Sequence, residues 1–300
     1  MDDSRTGSQI AILWKIETCA EVQDLSGARS AIEFAEGKTW GASLIRPTDK
    51  DLPGLKMRYL CDSLEGRKGR LIEIGSSAGK HLRSLLTLGY PFEFHGNDID
   101  LKSLRLGQRV TPAVAFMLAD GHNLPYRNEL FDVVLLMDYL EHVPNPRLAV
   151  NEAMRILKVG GVMYIFVPCE GNPLSPYAMF DRIFGANVKK SKGHVQAFTH
   201  ADIVGLVNCN GQVQSIYYSY HILGSVLDFS LFLLIYLSRR VAQLYWRHNK
   251  FYHGDSTNSS PIIALFNATL TCLNRLAYLE SSYLKRISHI ACGMHLVLTK

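Results

Sequence analysis

Leu71-Ile72-Glu73-Ile74-Gly75-Ser76-Ser77-Ala78-Gly79 decides the fold of this 300-residue chain. Residues 71–74 read as a short buried strand, residues 75–79 as a glycine-rich turn, and His81-Leu82-Arg83-Ser84-Leu85-Leu86 as the start of a helix. Strand, tight turn and helix is how an open α/β sheet builds a nucleotide site, because glycine lets the backbone bend sharply and approach a ligand. A dinucleotide fingerprint would need glycine at the positions held by Ser77 and Lys80. A phosphate loop of the G-x-x-x-x-G-K-[ST] kind would need one more residue before Gly79-Lys80 and a hydroxyl where His81 stands. What remains is acid-x-Gly-x-x-x-Gly. A carboxylate at Glu73 would repel pyrophosphate and attract a cation or an ammonium group.

Outward from that stretch, apolar runs recur at the spacing of a parallel sheet. Phe92–Asn97 ends at Asp98, and an acid at the tip of a second strand is placed to accept both hydroxyls of a ribose. Ala113–Leu118 leads to Ala119-Asp120-Gly121, and Phe131–Met137 leads to Asp138-Tyr139-Leu140-Glu141-His142. Asn145-Pro146 reads as a helix cap with proline in the first turn, and the helix ends at Leu157-Lys158-Val159-Gly160-Gly161. A fifth strand is expected over Val162–Val167, a helix over His200–Asn208, a sixth strand over Val213–Tyr218 and an antiparallel last strand over Met294–Lys300. Asp100 reads as a cap and Asp132 as structural.

In their order and spacing, EIGSSAG, GNDID, LADGHNLPY, FDVVLLMDYLEHV and LKVGG resemble the class I S-adenosylmethionine-dependent methyltransferases over residues 70–167. The resemblance is greatest to the small-molecule branch with the ubiquinone/menaquinone biosynthesis enzymes. It implies an α/β, doubly wound, mostly parallel seven-stranded Rossmann-like sheet, with S-adenosylmethionine as cofactor. It also implies that Glu73 and the loop Gly75, Ser76, Ser77 and Gly79 lie against the methionine part. Asp98 with Ile99 would serve the ribose, Asp120 and Gly121 the adenine, and Asp138 and Tyr139 the methionine side. Ser77 departs from the family, which usually has a second loop glycine there.

The sulfonium cofactor carries the hard chemistry, so a base is needed only where the acceptor must lose a proton. His142 and His194 are the candidate catalytic bases. Each also has a plain structural reading, Glu141-His142 as a loop anchor and His194 as a surface residue. No metal site is expected, since the six cysteines are scattered and form no C-x-x-C pair. Net charge of +5 lacks the dense basic face of a nucleic-acid binder. Met1-Asp2-Asp3-Ser4 has no basic start and no signal peptide is expected, so the expected setting is cytoplasmic.

The expected organisation is an N-terminal cap region 1–66, a core 67–220, a helical insertion 221–292 and a final strand 293–300. Pro53-Gly54 reads as a turn before a helix over Lys56–Leu64, and Ile10–Ile16 as a strand or helix. An insertion of about seventy residues is long for a connection and such insertions usually carry function. Ile222–Leu237 is apolar but spans 16 residues where a crossing helix wants about 20, and Asp228 interrupts it. Arg239, Arg240, Arg247 and Lys250 follow. In Pro261–Ile290, Ile263, Phe266, Leu270, Leu273, Ala277, Leu284 and Ile287 share a helical face. A peripheral contact with the inner face of a membrane through 221–290 and a buried helix pair both stay open. The expected partner is a small-molecule or lipid-like acceptor, with no nucleic acid. The rival from another class is a non-catalytic cofactor-binding or scaffold protein.

Overall fold

The computed structural model describes residues 44–185, 193–208, 211–237 and 261–300. Ile10–Ile16 and the basic residues Arg239, Arg240, Arg247 and Lys250 lie outside them.

In chain order the elements are α1 (Leu52–Ser63), β1 (Gly69–Ile74), α2 (Lys80–Thr87), β2 (Phe92–Asp98), α3 (Leu101–Val110), β3 (Ala115–Leu118) and β4 (Phe131–Met137). They continue with α4 (Pro146–Ile156), β5 (Leu157–Pro168), α5 (Pro176–Phe184), α6 (His200–Val207), β6 (Gln212–Ser219), α7 (Ile222–Leu237), α8 (Pro261–Tyr283) and β7 (Gly293–Thr299). The seven strands form one sheet in the order β3-β2-β1-β4-β5-β7-β6. The first five run parallel, and β7 lies antiparallel between β5 and β6.

The central strands are apolar on both faces because helices cover both. Leu71, Val133 and Leu135 point to the side packed by α1, α2 and α3; Ile72, Ile74, Val134 and Leu136 point to the side packed by α4 and α6. This is why β1 and β4 read as continuous apolar runs rather than alternating ones. The order reverses between β1 and β4, and in such sheets ligands bind beyond the carboxyl ends of the strands at that point.

Local chemistry sets the helix starts. Asp51 accepts from the Gly54 amide, so α1 begins at Leu52 and Pro53-Gly54 form its first turn rather than a preceding one. Asp100 accepts from Lys102 and Ser103, and Asn145 from Leu148, as their sequence contexts predict. Asp132 is structural: it accepts from the Arg70 amide at 2.8 Å and the Lys158 ammonium at 2.7 Å. β5 starts at Leu157, five residues earlier than the sequence suggests, because Leu157 pairs with Phe131 ahead of an irregularity in the β4–β5 register. Gly160 takes a left-handed φ of 76° within that irregular stretch.

The insertion is tied to the core: Arg58 of α1 donates to the Tyr278 hydroxyl at 2.7 Å and to the Ser282 hydroxyl at 3.2 Å, and the Cys169 amide donates to the Cys292 carbonyl at 2.6 Å. Ala277 of α8 is fully buried with α1, and Asp228 of α7 accepts from the Tyr177 hydroxyl at 2.5 Å. The face expected for α8 is only partly buried: Phe266 and Leu273 are exposed, and the residues that bury are Ala277 and Ser281. The apolar spacing marked a helix correctly but not the side it packs. No helix among the described residues is long and apolar enough to cross a membrane.

A buried polar relay joins the two antiparallel strands. His295 on β7 is fully buried, with Nδ1 2.7 Å from the Tyr164 hydroxyl and Nε2 2.8 Å from the Ser219 hydroxyl. Burial, helped by the Lys56 charge, drives its pKa well below the ordinary histidine value. Burial likewise takes His200 down to about 4, and His95 and His221 move the same way. These groups stay neutral when folded and protonate when unfolded, so the unfolded state binds more protons below about pH 6.5. Stability is therefore complete above that pH and is lost on acidification, at up to about 1.4 kcal/mol per pH unit for each histidine. Denaturant titrations at pH 7, 6 and 5 should show this fall, and His295→Gln should remove one proton from its slope. An unchanged slope would mean that His295 titrates normally in the folded protein.

Candidate active site

The glycine loop hangs from the carboxyl end of β1. Gly75, Ser77 and Gly79 all have left-handed φ, at 71°, 49° and 72°. Glycine adopts this region without strain; Ser77 does so at some cost. The Ser76 amide donates to the Asn97 carbonyl at 2.8 Å and ties the loop to β2. The Ser76 side chain is buried, with its hydroxyl oxygen above Gly96, so this residue serves the loop through its backbone.

Glu73 is 1% exposed. One carboxylate oxygen accepts from His81 Nδ1 at 2.6 Å, and the other has no hydrogen-bond partner. His81, which breaks the phosphate-loop pattern, is thus the residue that clamps the acid. Glu73 stands opposite Gly96 on β2 and Leu135 on β4, so it sits at the sheet's reversal point.

Asp98 at the tip of β2 accepts from the Ser77 amide at 2.8 Å through one oxygen and from the Asp100 amide at 2.9 Å through the other. Each oxygen keeps a further lone pair, as two ribose hydroxyls would require. Burial raises its pKa, against the pull of the backbone amides. Ile99 beside it is exposed, an apolar side chain next to the sugar-binding acid. Asp120 accepts from both the amide and the ring of His122. Gly121 has no room for a side chain, since a Cβ there would lie 2.0 Å from the Tyr139 hydroxyl oxygen. The same Tyr139 ring would meet a Cβ on Gly75 at 2.4 Å, so one aromatic ring spans the loops after β1 and β3.

Asp138, also at left-handed φ (50°), is bound to Lys56 of α1 at 2.7 Å. Burial works to raise this carboxyl, but the Lys56 and Lys80 ammonium groups overcome it and hold it at about 2. Lys56 also lies 3.6 Å above the Phe166 ring. Nothing in the sequence around Lys56 signals this role; only the packing of α1 on the sheet brings it to the strand ends.

Beyond Asp138, residues Leu140–His142 form a short helical turn. The Val195 and Gln196 amides both donate to the Glu141 carbonyl, at 2.8 and 3.1 Å, and pin the loop before α6 against that turn. His142 and His194 therefore meet edge to face, with ring centres 4.8 Å apart. His194 Nδ1 lies 2.9 Å from the Glu170 carboxylate. Glu141 is buried, and burial aided by the Asp138 charge pushes it up to about 8. The two base candidates thus converge on one rim. Glu170 lies in the proline-rich connection after β5, where no motif in the sequence singles it out.

The residues assembled here suit S-adenosylmethionine. The buried, unpartnered Glu73 oxygen matches an ammonium group, and Asp98 matches a ribose. Glu73, Gly75, Ser77, Gly79, Asp98, Asp120, Gly121 and Asp138 share this end of the sheet and would hold the cofactor.

Known proteins resemble this chain in sequence and in fold. Residues 72–165 match the family model described as a methyltransferase domain. A demethylmenaquinone methyltransferase from Paenarthrobacter aurescens is 35% identical over 109 residues, 36% of this chain and 42% of that protein. A ubiquinone biosynthesis O-methyltransferase from Alkalilimnicola ehrlichii is 29% identical over 131 residues, 42% of this chain and 52% of that protein. The chain therefore spans about half the length, or less, of these curated relatives. Among solved structures, a putative sarcosine dimethylglycine methyltransferase from Galdieria sulphuraria superposes with a TM-score of 0.54 at 15% identity, covering 91% of this chain and 98% of that one. The [4+2]-cyclase SpnF does so with a TM-score of 0.53 at 16% identity, covering 91% and 93%. At such identities the superpositions speak for the fold alone, and a cyclase among them shows that the fold does not dictate the reaction. Motifs, strand order and domain match together identify residues 72–165 as a methyltransferase domain of the class I, S-adenosylmethionine-dependent type.

Proposed function

We propose that this protein methylates a small, lipid-like acceptor that reaches the site from a membrane surface. The observation that carries methyl transfer is a pair of acids at the carboxyl ends of neighbouring strands, Glu73 on β1 with a buried, unpartnered oxygen and Asp98 on β2 accepting from the Ser77 loop amide. S-adenosylmethionine supplies an activated methyl group when bound. The protein's own work is to fix that cofactor, align the acceptor and exclude water. His142 and His194, which meet edge to face beyond the end of β4, serve as the candidate bases that take the acceptor's proton.

The lipid-like acceptor is supported by α5 and α7, which lie against each other through Tyr177, Phe180 and Phe229. Ile183 and Phe184 at the end of α5 and Ile222, Leu223 and Val226 at the start of α7 are exposed. Exposed apolar side chains of this size on paired helices suit an interfacial contact. Relatives named for demethylmenaquinone and for phthiotriol dimycocerosates, the latter 29% identical over 96 residues, point to hydrophobic acceptors.

A thermal-shift comparison tests the cofactor. S-adenosylhomocysteine at 100 times its Kd should stabilise by about 2.7 kcal/mol, and NAD should not. Labelling of lipid extracts with methyl-tritiated cofactor should then place radioactivity in the organic phase. Stabilisation by NAD alone would overturn methyl transfer. Label confined to water-soluble products would overturn the lipid-like acceptor.

A further inference from the structure

α1 docks on the sheet through Leu52, Leu55 and Leu60, which are buried in the core, and one charged side chain goes in with them. That side chain is Lys56, 9% exposed, and its ammonium reaches the carboxyl ends of β4 and β5. There it donates to Asp138 Oδ2 at 2.7 Å and lies 3.6 Å above the Phe166 ring. The Asp138 amide in turn donates to the Phe166 carbonyl at 3.1 Å, so backbone, ring and ammonium close a triangle around the carboxylate. Asp138 needs such support, because its φ of 50° is one that a side-chain-bearing residue adopts at a cost. Lys56 and Phe166 both lie outside residues 72–165, the span that matches the methyltransferase family.

The pair is also oriented. The Asp138 side chain is 39% exposed and that of Lys56 only 11%, so the acidic half faces the open end of the sheet. Oδ2 is taken by Lys56, and no hydrogen bond reaches Oδ1 from the described residues. As a device for docking α1 the pair would be weak, since a buried ion pair adds little net stability over apolar packing and leucines already seat the helix. Fixing a carboxylate in one place is what the pair does and packing cannot. From this geometry we infer that Lys56 is a positioning residue of the cofactor site: it holds the Asp138 carboxylate by one oxygen and leaves the other to receive the ammonium end of S-adenosylmethionine. Glu73, on the strand beside β4, would flank the same ammonium. The inference rests on the S-adenosylmethionine reading of the crevice and adds to it a side chain from outside the matched domain.

The charges around Asp138 support this role. Lys80 and His81 of α2 face it together with Lys56, Glu141 faces it from the turn after β4, and Tyr164 of β5 and His295 of β7 lie within its field. Burial pushes the Asp138 carboxyl up, and Lys56 is the largest of the charges that bring it down to about 2. Without Lys56, burial is opposed by Lys80 and His81 alone, and the carboxyl rises. A protonated Asp138 has no charge to offer an ammonium, so the loss of Lys56 is felt most in acid.

Calorimetry of the full chain with S-adenosylhomocysteine, which keeps the ammonium group, is the test. Lys56→Met should weaken binding about 10- to 100-fold, the equivalent of one charge-assisted hydrogen bond. The ratio of its Kd to that of wild type should grow as the pH is lowered from about 8 to about 5. Lys56→Arg, which keeps the charge, should lie nearer wild type. In an Asp138→Asn background, Lys56→Met should weaken binding by less than about twofold, because the group it acts through is gone. Melting temperatures of the cofactor-free variants report folding, and Lys56→Gln carries the same comparisons if the apolar variant does not fold. A Lys56→Met Kd within about threefold of wild type would overturn the role. So would an undiminished loss in the Asp138→Asn background, or a Kd ratio that does not change with pH. Each of those results leaves wild type bound to S-adenosylhomocysteine and the methyl-transfer reading intact, whereas a wild type that does not bind it removes both.

Discussion

Asp98→Ala is expected to weaken S-adenosylhomocysteine binding by about 100- to 1000-fold. A carboxylate that accepts from two sugar hydroxyls makes two charge-assisted hydrogen bonds, each worth about 1.5–3 kcal/mol. Every 1.4 kcal/mol is tenfold in Kd, so losing both, with water replacing part of the loss, gives about two to three orders of magnitude. The substitution also strips the Ser77 amide of its acceptor, and Ser77 holds a left-handed φ of 49° that the surrounding bonds must maintain. The loop therefore loosens as the sugar contact is lost. Asp98→Asn, which keeps one carbonyl oxygen for the Ser77 amide, should lie between the two. Calorimetry measures all three, and a Kd for Asp98→Ala within threefold of wild type would remove Asp98 from the site.

That prediction was legible in the sequence because Asp98 ends a strand, and the position of a strand end follows from a short apolar run. The same holds for β1 and β4, whose two-sided burial leaves an unbroken apolar signature, and for caps such as Asp100 and Asn145. What the sequence did not disclose depends on contacts between distant segments. Lys56 reaches Asp138 across 82 positions, and Glu170 meets His194 only because backbone bonds fold their loop onto Glu141. Leu157–Gly161 departs from its sequence pattern for a different reason. Its two glycines mimic a helix end, while pairing of Leu157 with Phe131 had already begun the strand. The face of α8 differs for a third reason. Periodicity reports that an amphipathic helix exists, but Phe266 and Leu273 are exposed while Ala277 and Tyr278 pack on the core and Ser281 meets His221. Those exposed positions are also what keeps a hydrophobic partner in view for this insertion.

Glu73→Gln should separate stability from function. In the protein without cofactor, Glu73 is a buried acid with a single donor, His81, on one oxygen and no partner on the other. A buried charge so sparsely paired is held at a cost, whereas a neutral amide of the same shape can still accept from His81 through its oxygen. The variant without cofactor should therefore unfold at the same temperature as wild type or higher. Cofactor binding should move the other way. The ammonium group that Glu73 would receive loses its countercharge in a dry crevice, and breaking such a pair from one side costs about 3–5 kcal/mol. S-adenosylhomocysteine affinity should then fall at least 100-fold, and methyl transfer with it. The opposed signs matter, because a residue kept for folding alone would lower both quantities together. If Glu73→Gln lowers the melting temperature by several degrees and leaves the Kd intact, the acid is a structural clamp for His81, and the loop must hold the methionine part of its ligand by backbone groups alone.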